Sequence, residues 1–330
     1  MKKFLSCICF CTVLVISLMF VSNLTMPKRN TEIAIMNYVD EHCGLYDLPK
    51  NTLDVLYLGS SHAFSCISPE DIYKDYGITG YVQASSCQRI WQSYYYLLET
   101  LEYQAPKVVV LDVFTMFDGG AQSEPFNREA IDKMRFSRAK LEAIQMAVRL
   151  NLQVENFESY ILPIIRYHDR WEELEAKDYR WFFDDSNIIS KGFLPRIGVN
   201  QTEFNYTDYQ TSNVQGLEIP ALCKEYLEKI KQICDENGIT LVLVKYPTCL
   251  WDLSKAQAVD KWATDNGVAY LDYNSNEELR EKVGIDWTVD TLDAGNHLNY
   301  DGAMKMSKVF GEYLIQNFEF SANKGTDVYE

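Results

Sequence analysis

Apolar residues fall into distinct patterns along the chain. Residues 4–26 form an unbroken uncharged run, rich in Ile8, Val13, Leu14, Ile16, Leu18 and Phe20, directly behind Lys2 and Lys3. A hydrocarbon core of ~30 Å takes about 20 helical residues, whereas the apolar part of a cleavable signal is about 7–15 and ends at small residues. No such ending follows Met26, so residues 1–26 read as a retained signal anchor rather than a removed signal. Lys2 and Lys3 favour a cytoplasmic amino end and an extracytoplasmic main domain, a contrast that Lys28 and Arg29 reduce. A polar stem over 27–50 comes next.

From there, short apolar runs alternate with helix-length segments. Residues 52–58 (TLDVLYL) read as a buried strand ending in Gly59-Ser60-Ser61-His62. Ser68-Pro69-Glu70-Asp71 supplies an N-cap, a proline at the first helical position and an acid three residues past the cap, which starts a helix. A strand over 80–83, a helix over about 90–103 and a strand over 107–114 (KVVVLDVF) continue the alternation. It resumes with a helix over 220–236, a strand over 239–245, a helix near 256–264, a strand over 268–271 and a last helix over 301–316. Strands apolar on both faces belong in a parallel sheet covered by helices on two sides. The expected fold is therefore α/β: a three-layer, doubly wound, flavodoxin-like five-stranded parallel sheet over 51–320, with a tail at 321–330. Between 115 and 217 the rhythm breaks into a helical stretch (128–167) and an aromatic, polar one (181–213). Such an insertion most often forms a rim at the carboxyl ends of the strands.

Composition narrows the function classes. With 47% hydrophobic residues in 330, the chain can bury a large core. Asp plus Glu outnumber Lys plus Arg by 47 to 31, a net charge of -16, which argues against a nucleic-acid partner. Of nine cysteines, Cys7, Cys9 and Cys11 lie in the apolar run, and Cys223 and Cys234 lie about three turns apart on one predicted helix, too far to pair. No disulfide is assigned. The sequons at Asn200 and Asn205 matter only in a glycosylating host. His168 beside Asp169 is no ligand set, and neither zinc nor P-loop spacing occurs, so no metal or cofactor is expected. Tyr94, Tyr95 and Tyr96, with Trp181, Phe193 and Phe204, offer either sugar-stacking faces or packing between rim and sheet.

Reactive side chains concentrate in two loops at predicted strand ends. One is Gly59-Ser60-Ser61-His62; the other is the segment 293–302, which holds Asp293, His297, Asn299 and Asp301. Taken singly, the first is an ordinary turn and the second a polar helix start. Together they carry a hydroxyl, an imidazole able to take its proton, and a carboxylate able to orient that imidazole.

These residues resemble the SGNH/GDSL hydrolase superfamily over roughly residues 53–315. The apolar amino end, the Gly-Ser-Ser-His element and His297-Leu298-Asn299 are most similar to its cell-surface bacterial branch, that of the teichoic-acid D-alanylation protein and the alginate O-acetyltransferases. The resemblance implies Ser61 as nucleophile, His297 as base and Asp293 as orienting acid. It sets Ser60 at the position before the nucleophile, and makes His62, Ser85, Ser86, Gln88 and Asn299 candidates for the oxyanion hole or substrate. It further implies O-acyl transfer, of acetyl or another small acyl group, from an acyl donor to a surface glycan, with a multi-spanning membrane acyltransferase as a candidate partner. Ester hydrolysis and a non-catalytic glycan-binding or scaffold role are the alternatives. Three departures stand out. The acid lies four residues before the histidine rather than three, which keeps Asp290 and Asp301 in play; residues 84–88 hold no glycine; and Asp112 closes the third strand where an asparagine block is expected.

Overall fold

The computed structural model describes residues 2–27, 44–180, 190–203 and 216–320. Residues 28–43 of the stem, the tail, Asn205 and the aromatic residues Trp181 and Phe204 lie outside the described residues.

Five short parallel strands form the centre: β1 (Val55–Gly59), β2 (Gly80–Ala84), β3 (Val108–Asp112), β4 (Thr240–Lys245) and β5 (Ala269–Asp272), in the order β2-β1-β3-β4-β5. Alternate side chains of a strand point to opposite faces. Leu56, Leu58, Val109, Leu111, Leu241 and Leu243 accordingly enter one core. Val55, Tyr57, Val108, Val110, Val242 and Val244 enter the other. Burial on both faces is why these strands read as continuous apolar runs.

Helices cover both faces. In chain order they are α1 (Lys2–Thr25), the single-turn α2 (Gly44–Asp47), α3 (Ser61–Cys66), α4 (Pro69–Tyr76) and α5 (Ile90–Leu101), followed by α6 (Glu124–Ile131), α7 (Arg138–Leu150), α8 (Phe157–Ile161), α9 (Ile164–Tyr167) and α10 (Ala176–Arg180). After these come α11 (Ala221–Glu236), α12 (Leu253–Asn266), α13 (Glu277–Val283) and α14 (Tyr300–Asn317). Helices α5, α7, α11 and α12 contribute to the first core, and α3, α4 and α14 to the second. The cap read at Ser68 is present: its side chain accepts from the Asp71 N–H, with Pro69 opening α4.

The helical stretch 128–167 is four helices rather than one. Ser137 and Asn156 restart it by accepting from the N–H groups of Lys140 and Ser159, and Pro163 opens α9. Short elements absent from the sequence reading are α3, α13 and an antiparallel hairpin of β6 (Thr291–Leu292) and β7 (His297–Leu298). Tyr95 and Tyr96 are core residues and Tyr94 packs against Tyr95 and Tyr226, so this triplet is packing rather than a sugar-binding face.

Residues 190–203 form a strap that joins distant elements. The edge strand β2 donates its Val82 N–H to Lys191 O (2.9 Å), Leu194 N–H reaches Phe64 O (2.7 Å), Tyr300 N–H reaches Arg196 O (2.8 Å) and Asn200 N–H reaches Thr291 O (3.0 Å). The strap thereby pairs with the β2 edge of the sheet and runs on to the β6–β7 hairpin.

Candidate active site

In an open sheet of this order the chain leaves β1 in opposite directions toward β2 and β3, and ligands gather in the crevice outside the carboxyl ends of β1 and β3. The Gly59-Ser60-Ser61 turn lies at that point. Gly59 has φ +152, and a Cβ there would stand 2.6 Å from the Asp112 Cβ, so only glycine lets β1 and β3 approach this closely. Ser60 caps α3, donates its own hydroxyl to Asp112 Oδ2 (3.2 Å), and is buried. Ser61 is the first residue of α3. The N–H groups of His62, Ala63 and Phe64 are held by Ser60, which leaves the Ser61 N–H without a partner among the described residues.

The other half comes from the hairpin. In its register Leu292 faces His297, so Asp293, one residue on, stands beside the histidine ring. The Ser61 hydroxyl donates to His297 Nε2 (2.8 Å), and His297 Nδ1–H donates to Asp293 Oδ2 (3.0 Å). The structure thus brings together three residues read from two remote loops. Of the other acids, Asp290 is buried and paired with Lys305, and Asp301 lies in the first turn of α14. The four-residue spacing is absorbed by left-handed backbone at Asp293 and Ala294 (both φ +53) and Gly295 (φ +80). A Cβ at Gly295 would meet Thr202 Cγ2 at 2.7 Å.

Arg196, on the strap, escaped the sequence reading. Its Nη1 donates to the same Asp293 Oδ2 (3.2 Å), and Asn200 Oδ1 accepts from the Ala294 N–H (2.9 Å). Nothing in the irregular segment around them signals this. His297 has an 8% exposed side chain, and its pKa is lowered to about 4 by burial and by the Arg196 charge, against the opposing pull of Asp293. The imidazole is therefore neutral, with a lone pair facing Ser61, at any pH well above that value.

His62 is fully buried. Its ring stacks on that of His297 (centroids 4.8 Å apart, planes at 24°) and lies 3.8 Å from Phe114. Its Nε2–H donates to the Asn296 carbonyl (2.8 Å), and burial pushes its pKa well below the usual imidazole value. It touches the base rather than the nucleophile. Beneath Ser60, the buried Asp112 and Lys245 form an ion pair at 3.6 Å. Burial pushes the Asp112 carboxyl up and the Lys245 ammonium down, and each restrains the other.

The remaining candidates are engaged elsewhere. The half-buried Ser86 N–H goes to Glu129 Oε1 (2.9 Å); Ser85 donates to Gln88 Oε1 (3.1 Å), and Gln88 Nε2 to Ser93 (2.9 Å), these last three residues being buried. Cys87 in this loop takes φ +52, a left-handed turn made without glycine. Asn299 caps α14 and braces Gly198 O and Val289 O through its amide. No group of metal-ligating side chains occurs among the described residues.

No protein-family profile matches the chain, and no curated protein does. Among solved structures it is similar to a proposed acylhydrolase of Bacteroides fragilis NCTC 9343, at 12% identity and a TM-score of 0.39 over 86% of this chain and 97% of that one. A GDSL-like lipase of Bacteroides thetaiotaomicron VPI-5482 aligns at 10% identity and a TM-score of 0.37 over 83% and 95%.

Proposed function

We propose that the protein is an extracytoplasmic, membrane-anchored serine acyltransferase that moves a small acyl group, acetyl in the simplest case, onto a hydroxyl of a cell-surface polysaccharide. The observation that carries this reading is the continuous Ser61–His297–Asp293 hydrogen-bond chain at the carboxyl end of the sheet. A serine hydroxyl is a weak nucleophile until a base removes its proton. In the reading, Ser61 Oγ attacks the donor's acyl carbon as its proton passes to His297 Nε2, and Asp293 stabilises the imidazolium. The bond from the acyl carbon to the leaving oxygen then breaks, and His297 returns the proton to that oxygen. The resulting acyl-Ser61 ester is attacked by a sugar hydroxyl, whose proton passes through His297 to Ser61.

The Ser61 N–H at the start of α3 is the donor aimed at the developing oxyanion. Losing one donor of an oxyanion hole typically costs ~10²–10³ in rate. A site with few donors suits acceptors held at high local concentration better than rapid free turnover. The anchor supports a membrane-proximal location: α1 carries an apolar window of mean hydropathy 2.7 with none of it buried in protein. Hydrolysis is the second reading, favoured by the 46% exposure of the Asp293 side chain, which keeps the triad open to water.

A serine-directed fluorophosphonate should label Ser61 in the detergent-solubilised full chain. Labelling should vanish in Ser61→Ala and fall sharply in His297→Ala; a folded chain that takes no label overturns the catalytic reading. An acylated donor with a sugar acceptor then separates transfer, which yields an acylated sugar, from hydrolysis, which yields free acid.

A further inference from the structure

The apolar window of α1 is bare, but its last turn is not: Ser22, Leu24 and Thr25 are buried. The elements that bury them belong to the insertion. Ile164 N–H of α9 donates to Ser22 Oγ (3.4 Å), and Arg170 Nη1, on the 3₁₀ turn His168–Glu173, donates to Thr25 O (2.9 Å). Helix α10 packs on α1 as well. With a 1.5 Å rise, a ~30 Å hydrocarbon core takes about 20 residues. Counted from Phe4, the first residue after the lysine pair, the far boundary falls close to Asn23. An element seated on Ser22 and Thr25 is then at headgroup depth.

The side chains exposed there are the wrong ones for water. Ile161, Ile165 and Trp171 are 41%, 47% and 66% exposed, and Tyr179 of α10 is exposed too. Outside α1, most of the large exposed apolar side chains among the described residues lie in this insertion, between residues 126 and 179. Tryptophan and tyrosine favour the membrane–water boundary, where an apolar ring body and a polar tip are both satisfied.

From this we infer that α9 and the 3₁₀ turn after it form a second, bilayer-contacting patch, which lays the domain against the outer leaflet beside its own anchor. The inference rests on α1 being a retained membrane span. The contact is apolar rather than electrostatic. Arg166 and Arg170 are committed to Glu124 and to Asp178 with Thr25, while the exposed charges on the 3₁₀ turn are acidic, Asp169, Glu172 and Glu173. Neutral lipid should therefore serve at least as well as anionic lipid, which the exposed acids repel. Its effect is to fix the height and tilt of the domain, so that acyl groups and glycan hydroxyls close to the membrane are the ones offered to Ser61.

The test uses the purified full chain in phosphatidylcholine nanodiscs, with lipids either plain or brominated high on the acyl chain, and reads tryptophan emission. Wild type should lose about one sixth of its emission to the bromines beyond the loss seen in Trp171→Phe, since Trp171 is one tryptophan of six. Equal quenching in the two proteins overturns the patch. So does a difference between the two proteins that appears only as the protein-to-lipid ratio rises, which identifies a contact between copies. Failure of the chain to float with liposomes after an alkaline wash is a separate result: it removes the anchor, and the patch with it.

Discussion

Replacing Arg196 with glutamine should raise the pH at which Ser61 loses its reactivity. In the proposed mechanism His297 acts as a base only when neutral, so labelling of Ser61 must fall as pH drops through the folded-state pKa of that imidazole. Burial first, and the Arg196 charge second, lower that pKa to about 4, from an ordinary value of 6.5. At about 1.4 kcal/mol per pH unit, the depression amounts to about 3 kcal/mol against the imidazolium. Removing the cation takes away one of the two main forces that keep the proton off, whereas glutamine can still donate to Asp293. The midpoint should then move up from about 4 without reaching the value of free imidazole, because burial persists. The assay is the second-order rate of fluorophosphonate labelling, measured from about pH 3 to 8 at constant ionic strength. A wild-type midpoint at or above that of free imidazole, or an unshifted midpoint in Arg196→Gln, would refute the reasoning.

Three further expectations concern the frame around the triad. Ala294→Gly should stabilise the fold by about 0.5–1 kcal/mol in urea denaturation, since a side chain in the left-handed region costs about 1 kcal/mol that glycine avoids. Asp112→Asn should destabilise by roughly 3–5 kcal/mol despite supplying an amide donor, because it strands the buried Lys245 charge; adding Lys245→Met should recover much of the loss in the same denaturation series. His62→Ala should cut the labelling rate about 10-fold or more, with little change in reagent affinity, by freeing the Asn296 carbonyl and the face of the His297 ring; unaltered kinetics in a folded variant would show that stacking to be incidental.

What sequence could reveal here follows from how local each signal is. The run 52–58 announced β1 because both faces of that strand are buried, and Ser68-Pro69 announced α4 because its cap needs only neighbouring residues. The six-residue α3 was hidden, since Ser-His-Ala-Phe-Ser-Cys is too short to show a helical period. The two-residue strands β6 and β7 were hidden for the same reason, although their register is what sets Asp293 beside His297. Ser61, His297 and Asp293 were legible as residue types at strand ends. Arg196 and Asn200 were not, because their link to the acid depends on a strap held by contacts with residues about a hundred positions away. The expectation of oxyanion donors at residues 84–88 met a competitor from outside the loop, Glu129 of α6, which takes the Ser86 N–H.

The strap has one consequence that can be read far from the chemistry. The Val82 amide on β2 is held by Lys191, only a few residues upstream of Arg196 on the same ribbon. Slow opening of that ribbon would expose the Val82 proton to deuterium while leaving the rest of the strand ladder protected. One amide's exchange rate would then report how often the guanidinium leaves the acid, and so how often the resting protein visits a state in which its histidine is easier to protonate.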